Sequence, residues 1–88
     1  MIAIMTDITK ELQINIGKKI SEIRLRNNQT QHDIESICGI DAAEVSKYEK
    51  GKRNLTLKTL TRFAFALAVH PKELFDFDYE ITKHNLDM

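Results

Sequence analysis

The chain has 88 residues with one cysteine, three glycines and one proline, and its 13 basic and 13 acidic residues balance to a formal charge of zero. This length makes one small domain with a modest core, which self-association would help to stabilise. No apolar run approaches membrane-spanning length, the short apolar opening lacks the basic flank of a secretory signal, and one cysteine excludes an internal disulfide, so a cytoplasmic protein without a membrane partner is expected.

Ile8, Leu12, Ile16, Ile20 and Ile23 form one helical stripe, which predicts a first helix from about Thr9 to Arg26, with room for an earlier start. Gly17 inside it costs about 1 kcal/mol relative to Ala, so close packing is its expected reason. Asn27 and Asn28 end the helix. Thr30 then opens a second one: its hydroxyl can accept from a first-turn N–H, and Asp33 can reach back to the cap. Ile34, Ile37 and Cys38 lie on one face of this helix. Gly39 leaves it in the left-handed conformation that glycine adopts without a Cβ clash, and Ile40 plugs the corner. Asp41 starts a third helix, in which Glu44 reads as completing a second capping box. Val45 and Tyr48 face inward, and Gly51 stops the helix.

Residues 31–50 thus read as two short helices folded about a glycine. A helix-turn-helix of this size can set its second helix in the major groove of DNA; an αα-corner without DNA contact is the plainer alternative. Thr56 caps a fourth helix with Leu57, Leu60, Phe63, Ala64 and Leu67 on its inner face. Pro71 suits the first position of a short fifth helix, and Leu74 and Phe75 close the core. The expected fold class is all-α: a compact five-helix domain with a short extended C-terminal tail. Residues 1–15 lead into the first helix, 16–75 form the helix-turn-helix domain, and 76–88 are an acidic tail.

The zero net charge hides a polarity. Between residues 47 and 62, Lys47, Lys50, Lys52, Arg53, Lys58 and Arg62 face Glu49 alone. From residue 72 onward, Lys72 and Lys83 face Glu73, Asp76, Asp78, Glu80 and Asp87. Affinity for DNA depends on where cations sit, so the crowding around the third helix points to duplex DNA, against the alternative of ordinary solvated side chains. Catalysis fails on inventory. His32, His70 and His84 are widely spaced, and Cys38 sits on an apolar face, where a thiol is more often core than nucleophile. No glycine-rich phosphate loop is present. No enzyme, metal or cofactor is expected.

These residues resemble the Cro and lambda-type repressor family, also called the xenobiotic-response-element family. The resemblance runs from about Ile16 to Phe75 and rests on Ile16-Gly17, Ile20, Ile23-Arg24, Thr30-Gln31, Ile34, Gly39-Ile40, Val45-Ser46-Lys47, Glu49 to Asn54, Leu57, Leu60, Ala64, Leu67, Val69 and Leu74-Phe75. The chain is also similar in size to the controller proteins of restriction–modification systems. The resemblance implies sequence-specific DNA binding as a dimer. It implies that Thr30 and Gln31 meet the DNA at the start of the second helix, and that Ala42, Ala43, Ser46 and Lys47 line the groove face of the third. Lys50, Lys52, Arg53 and Asn54 would grip phosphates, which set register rather than sequence. Glu49 would pair with Arg24 as a structural buttress. For Glu44, capping its own helix stands ahead of accepting from cytosine. Two residues depart from the family pattern: Glu35 replaces a usual alanine against the neighbouring helix, and Gln29 replaces an apolar residue before the cap.

Phe65 lies opposite the inner face of the fourth helix, and an exposed aromatic on so small a domain suggests a partner surface. Phe77, Tyr79 and Ile81 alternate with polar residues at a period of two, which reads as an extended segment. It either covers a neighbouring subunit or folds over its own core. Two functions compete: a dimeric transcriptional regulator on a palindromic operator, and an antitoxin-like or adaptor module whose main partner is a protein and whose DNA binding serves autoregulation.

Overall fold

Four α-helices, α1 (Ile2–Arg26), α2 (Gln31–Cys38), α3 (Ala42–Glu49) and α4 (Leu57–Leu67), are followed by a 3-10 turn over Pro71–Phe75 in a computed structural model that describes residues 2–78, with side chains from residue 8 on. The fold is all-α, as expected, with four α-helices rather than five. The fifth element is only five residues long. It bonds from i to i+3, with the Glu73 amide donating to the His70 carbonyl at 2.9 Å, and so short a run favours the tighter helix. Its start is capped by the His70 imidazole Nδ1, which accepts from the Lys72 amide at 3.0 Å.

α1 begins seven residues before the expected Thr9. At 25 residues it is about 37 Å long, and it forms the spine against which α3, α4 and the 3-10 turn pack. The caps of α2 follow the sequence. Thr30 Oγ1 accepts from the Asp33 amide at 3.0 Å, and Asp33 Oδ2 accepts from the Thr30 amide at 2.7 Å. Gly39 terminates α2 at φ 80°, its amide donating to the Glu35 carbonyl at 2.8 Å.

Ile16, Ile20 and Ile23 of α1, Ile34 of α2, Ile40 of the turn, Val45 of α3, Leu60, Phe63, Ala64, Ala66 and Leu67 of α4, and Leu74 of the 3-10 turn form the buried core. Tyr48 meets Phe63 edge to face, with ring centroids 5.3 Å apart. Three apolar residues expected on inner faces lie outside instead. Leu57 is 82% exposed because it is the first residue of α4, and that helix enters the core only from Leu60. Phe75 is exposed because neighbours in a three-residue repeat point about 120° apart, so burying Leu74 turns Phe75 out. Ile37 is exposed as well, leaving Ile34 as the buried anchor of α2.

Gly17 has the packing role that its helical position suggested. A Cβ there would collide with the Tyr48 carbonyl and lie 2.7 Å from the Glu49 carbonyl oxygen. The missing side chain lets the last turn of α3 rest directly on α1.

The candidate nucleic-acid interface

α3 has two faces. Its inner face carries Val45, which is fully buried, and Tyr48. Its outer face carries Ala43 and Lys47, both exposed, flanked by half-buried Ala42 and Ser46. Lys50, Lys52 and Asn54 follow in the exposed loop, with Arg53 half-buried among them, and Thr30 is exposed at the start of α2. The residues expected to read and grip DNA therefore converge on α3, the loop after it and the α2 N-terminus.

The back of this surface is locked by one ion pair. Arg24 Nε donates to Glu49 Oε2 at 2.6 Å and Nη2 donates to Glu49 Oε1 at 3.1 Å. The side chains retain only 11% and 8% exposure, so the pair is screened little by solvent. Arg24 Nη1 also donates to the Gln29 carbonyl at 2.8 Å. One guanidinium thus ties α1 both to the end of α3 and to the loop before α2, in the forked geometry that lysine cannot reproduce. Gln31 joins the same network, its amide donating to Glu49 Oε1 at 3.1 Å. Its head group is engaged inward as well as sitting at the start of α2.

The two departures from the family pattern have structural roles. Glu35 Oε1 accepts from the Ala42 amide at 3.3 Å and lies 3.5 Å from His32 Nδ1. It therefore satisfies an open backbone donor at the start of α3. Gln29 donates through Nε2 to the Ala66 carbonyl at 3.0 Å, while Asn27 donates to the Leu67 carbonyl at 3.0 Å. The polar replacement exchanges an apolar staple for bonds to the last carbonyls of α4. Arg62, one of the cations of the basic segment, turns inward. Its Nε and Nη2 donate to the Cys38 carbonyl at 3.1 and 2.6 Å, capping the C-terminus of α2. Apart from the His32–Glu35 contact within α2, each of these interactions joins separate elements of the chain and has no local signature.

Glu44 does not form the expected capping box. Asp41 Oδ2 accepts from the Ala43 amide at 3.0 Å, and Glu35 serves Ala42. Glu44 turns outward instead. Oε1 accepts from Arg53 Nε at 3.0 Å, Oε2 from Arg53 Nη2 at 3.5 Å, and Lys47 Nζ lies 3.3 Å from Oε2. The bond from Arg53 first, and that from Lys47 second, hold its carboxyl below the ordinary value of 4.5.

Phe65 is 72% exposed on α4, opposite the buried Phe63, Ala64 and Leu67. Phe77, grouped with it as a dimer candidate, is half-buried and packs against the chain's own core. This corresponds to the alternative in which the start of the tail covers its own domain. Tyr79 and Ile81 lie outside the described residues.

A packed helix pair carrying small and basic side chains on the outer face of its second helix, with a cationic loop after it, defines a helix-turn-helix protein of the DNA-binding class. The helix-turn-helix family model matches residues 20–74, and the chain belongs to that family, in its Cro and lambda-repressor branch, as a DNA-binding transcriptional regulator. It is 32% identical over 71 residues to the control protein C.BamHI of Bacillus amyloliquefaciens, across 80% of this chain and 88% of that one. Its structure is similar to that of the restriction–modification controller protein C.AhdI from Aeromonas hydrophila, with a TM-score of 0.69 and 30% identity over 72% of this chain and 96% of that chain. It is similar, at a TM-score of 0.68 and 29% identity over 85% of this chain and 95% of that one, to the controller protein C.Esp1396I, seen as a tetramer with its natural 35 base-pair operator. Among the described residues no helix is long and apolar enough to cross a membrane.

Proposed function

We propose that the protein binds operator DNA as a symmetric dimer, with α3 of each subunit in a major groove, and that it controls transcription of a restriction–modification system. The observation that carries this reading is the division of α3 into a face locked to α1 and a face of small and basic side chains. Lys47 would donate to guanine O6 and N7, Ser46 to a base or phosphate, and Ala42 and Ala43 would approach thymine methyls. Thr30, Lys50, Lys52 and Asn54 would hold phosphates, as would Arg53 once released from Glu44. Gln31 would act chiefly by positioning Glu49, adding a DNA contact only by exchanging that partner. Phe65 would anchor the dimer. The size and likeness of the controller relatives support the choice of system. The protein-binding alternative gains nothing from relatives that are control proteins and transcriptional regulators.

Selection on random duplex DNA should return a palindrome with half-sites about one helical turn apart. On the selected and a scrambled duplex, Lys47→Ala should change base preference. Lys52→Ala should weaken both duplexes alike and shallow the salt slope by roughly 1 for each phosphate partner removed per subunit. Phe65→Lys should weaken dimerisation and lower DNA affinity steeply, because linked half-sites gain ~10²–10⁴ over one site. A chain sedimenting as a monomer both free and on DNA would end the dimer reading.

A further inference from the structure

The middle of the reading helix carries a carboxylate where the surrounding surface is cationic. Glu44 and Lys47 are three residues apart and share a face of α3, and Arg53 reaches back from the loop to meet them. Arg53 Nε and Nη2 are turned toward Glu44, and its Nη1 donates to the Lys52 carbonyl at 3.4 Å. All three side chains remain in reach of solvent, with Glu44 38% exposed, so this is not a fold-locking pair like that of Arg24 and Glu49. Its carboxylate is committed to Arg53 and Lys47 rather than to the start of its own helix. At neutral pH the cluster presents one net positive charge rather than two.

We propose that Glu44 is a specificity-determining residue that weakens binding to duplexes in general and accepts from the cytosine amino group at one G·C pair of each half-site. The inference rests on the reading of α3 as the groove helix. For Arg53 to reach a phosphate it must leave Glu44, which then faces a polyanion with fewer cations beside it. That penalty applies on any sequence. It is offset only where a base edge supplies a donor to the carboxylate. A G·C pair presents guanine O6 and N7 as acceptors next to the cytosine N4 donor. Lys47 Nζ and Glu44 Oε2, 3.3 Å apart, offer a donor and an acceptor in the complementary arrangement.

The test uses the full chain and its Glu44→Gln variant, each put through selection on random duplexes and then titrated on its selected and a scrambled duplex over a salt series. Glu44→Gln should bind scrambled DNA roughly tenfold tighter, since a like-charge contact is removed in each subunit. Its salt slope should steepen by about 0.9 per subunit as Arg53 becomes available to phosphate, and this gain should vanish in Glu44→Gln/Arg53→Ala. Preference for one G·C pair per half-site should be lost. An unchanged selected site, with both duplexes shifted by the same factor, overturns the proposal while leaving α3 as the groove helix. A wild-type chain that shows no preference among duplexes removes that broader reading too. Circular dichroism of Glu44→Gln and Glu44→Ala checks the fold, and unfolding of both would make Glu44 a structural residue and overturn the proposal.

Discussion

Glu44 and Glu49 lie five residues apart on α3, and each binds an arginine through two nitrogens. They differ in everything around that bond. Glu49 is closed in by α1, by Gln31 and by the end of its own helix, and its arginine also holds the Gln29 carbonyl. Glu44 faces outward and shares a half-exposed lysine and a loop arginine. The same pair of functional groups fixes geometry where water is excluded and modulates charge where it is not. Burial, not residue type, separates the buttress from the outward face of α3.

The buried pair should be the more sensitive of the two to substitution. Glu49→Ala leaves Arg24 with its Gln29 bond but no counter-charge, and unfolding should cost about 3 kcal/mol less. Urea denaturation would register this as a lower midpoint at constant slope, and a change below about 0.5 kcal/mol would put Glu49 in the same class as Glu44. Gly17→Ala attacks the seat of the same pairing. The added methyl meets the Tyr48 and Glu49 carbonyls, and backbone cannot swing aside as a side chain can. A destabilisation of about 2 kcal/mol is expected, with NMR shift changes concentrated at the end of α3; an unperturbed stability would mean that α1 and α3 sit farther apart.

Gln31→Ala acts on the same carboxylate more gently. Removing one hydrogen bond from a carboxylate that keeps its arginine should cost about 1 kcal/mol. Its effect on DNA should be equal on specific and scrambled duplexes; weakening confined to the specific site would return Gln31 to the base-reading set. The smallest stability effect is expected for Glu44→Ala. Its carboxyl titrates below 4.5 because Arg53, then Lys47, favours the charged form. Whatever it adds to stability is therefore complete above that value and is lost only as pH falls through the depressed pKa. Thermal melts of variant and wild type should coincide in their pH dependence between about pH 5 and 8, and a divergence in that range would show that Glu44 senses a group other than these two cations.

Local signals carry much of this architecture. Thr30, Asp33 and Gly39 bound α2 through interactions within a few residues, and the Ile16, Ile20, Ile23 stripe needs only helical periodicity. The Arg24–Glu49 pair follows from the family resemblance. Legibility ends where an interaction depends on how helices cross. Glu44 follows Asp41 at the spacing of a capping box, yet Arg53, reaching back from the loop after α3, holds its carboxylate outward. Leu57 and Phe75 have the hydrophobicity of core residues, and only the position of the helix start and the three-residue pitch of the closing turn show that they point away. Arg62 belongs to a basic run by composition but serves a carbonyl 24 positions away.

The arrangement also bears on how new binding specificities can arise. α3 is retained by Val45, Tyr48, Glu49 and backbone packing beneath Gly17, whereas Ala42, Ala43, Ser46 and Lys47 contribute no side-chain hydrogen bond to the core side. Substitutions at those four positions can therefore accumulate without first acquiring compensating changes in α1. On the proposed reading of α3, the residues open to divergence are thereby separated from those that hold the fold, and paralogues with different operators could share one scaffold.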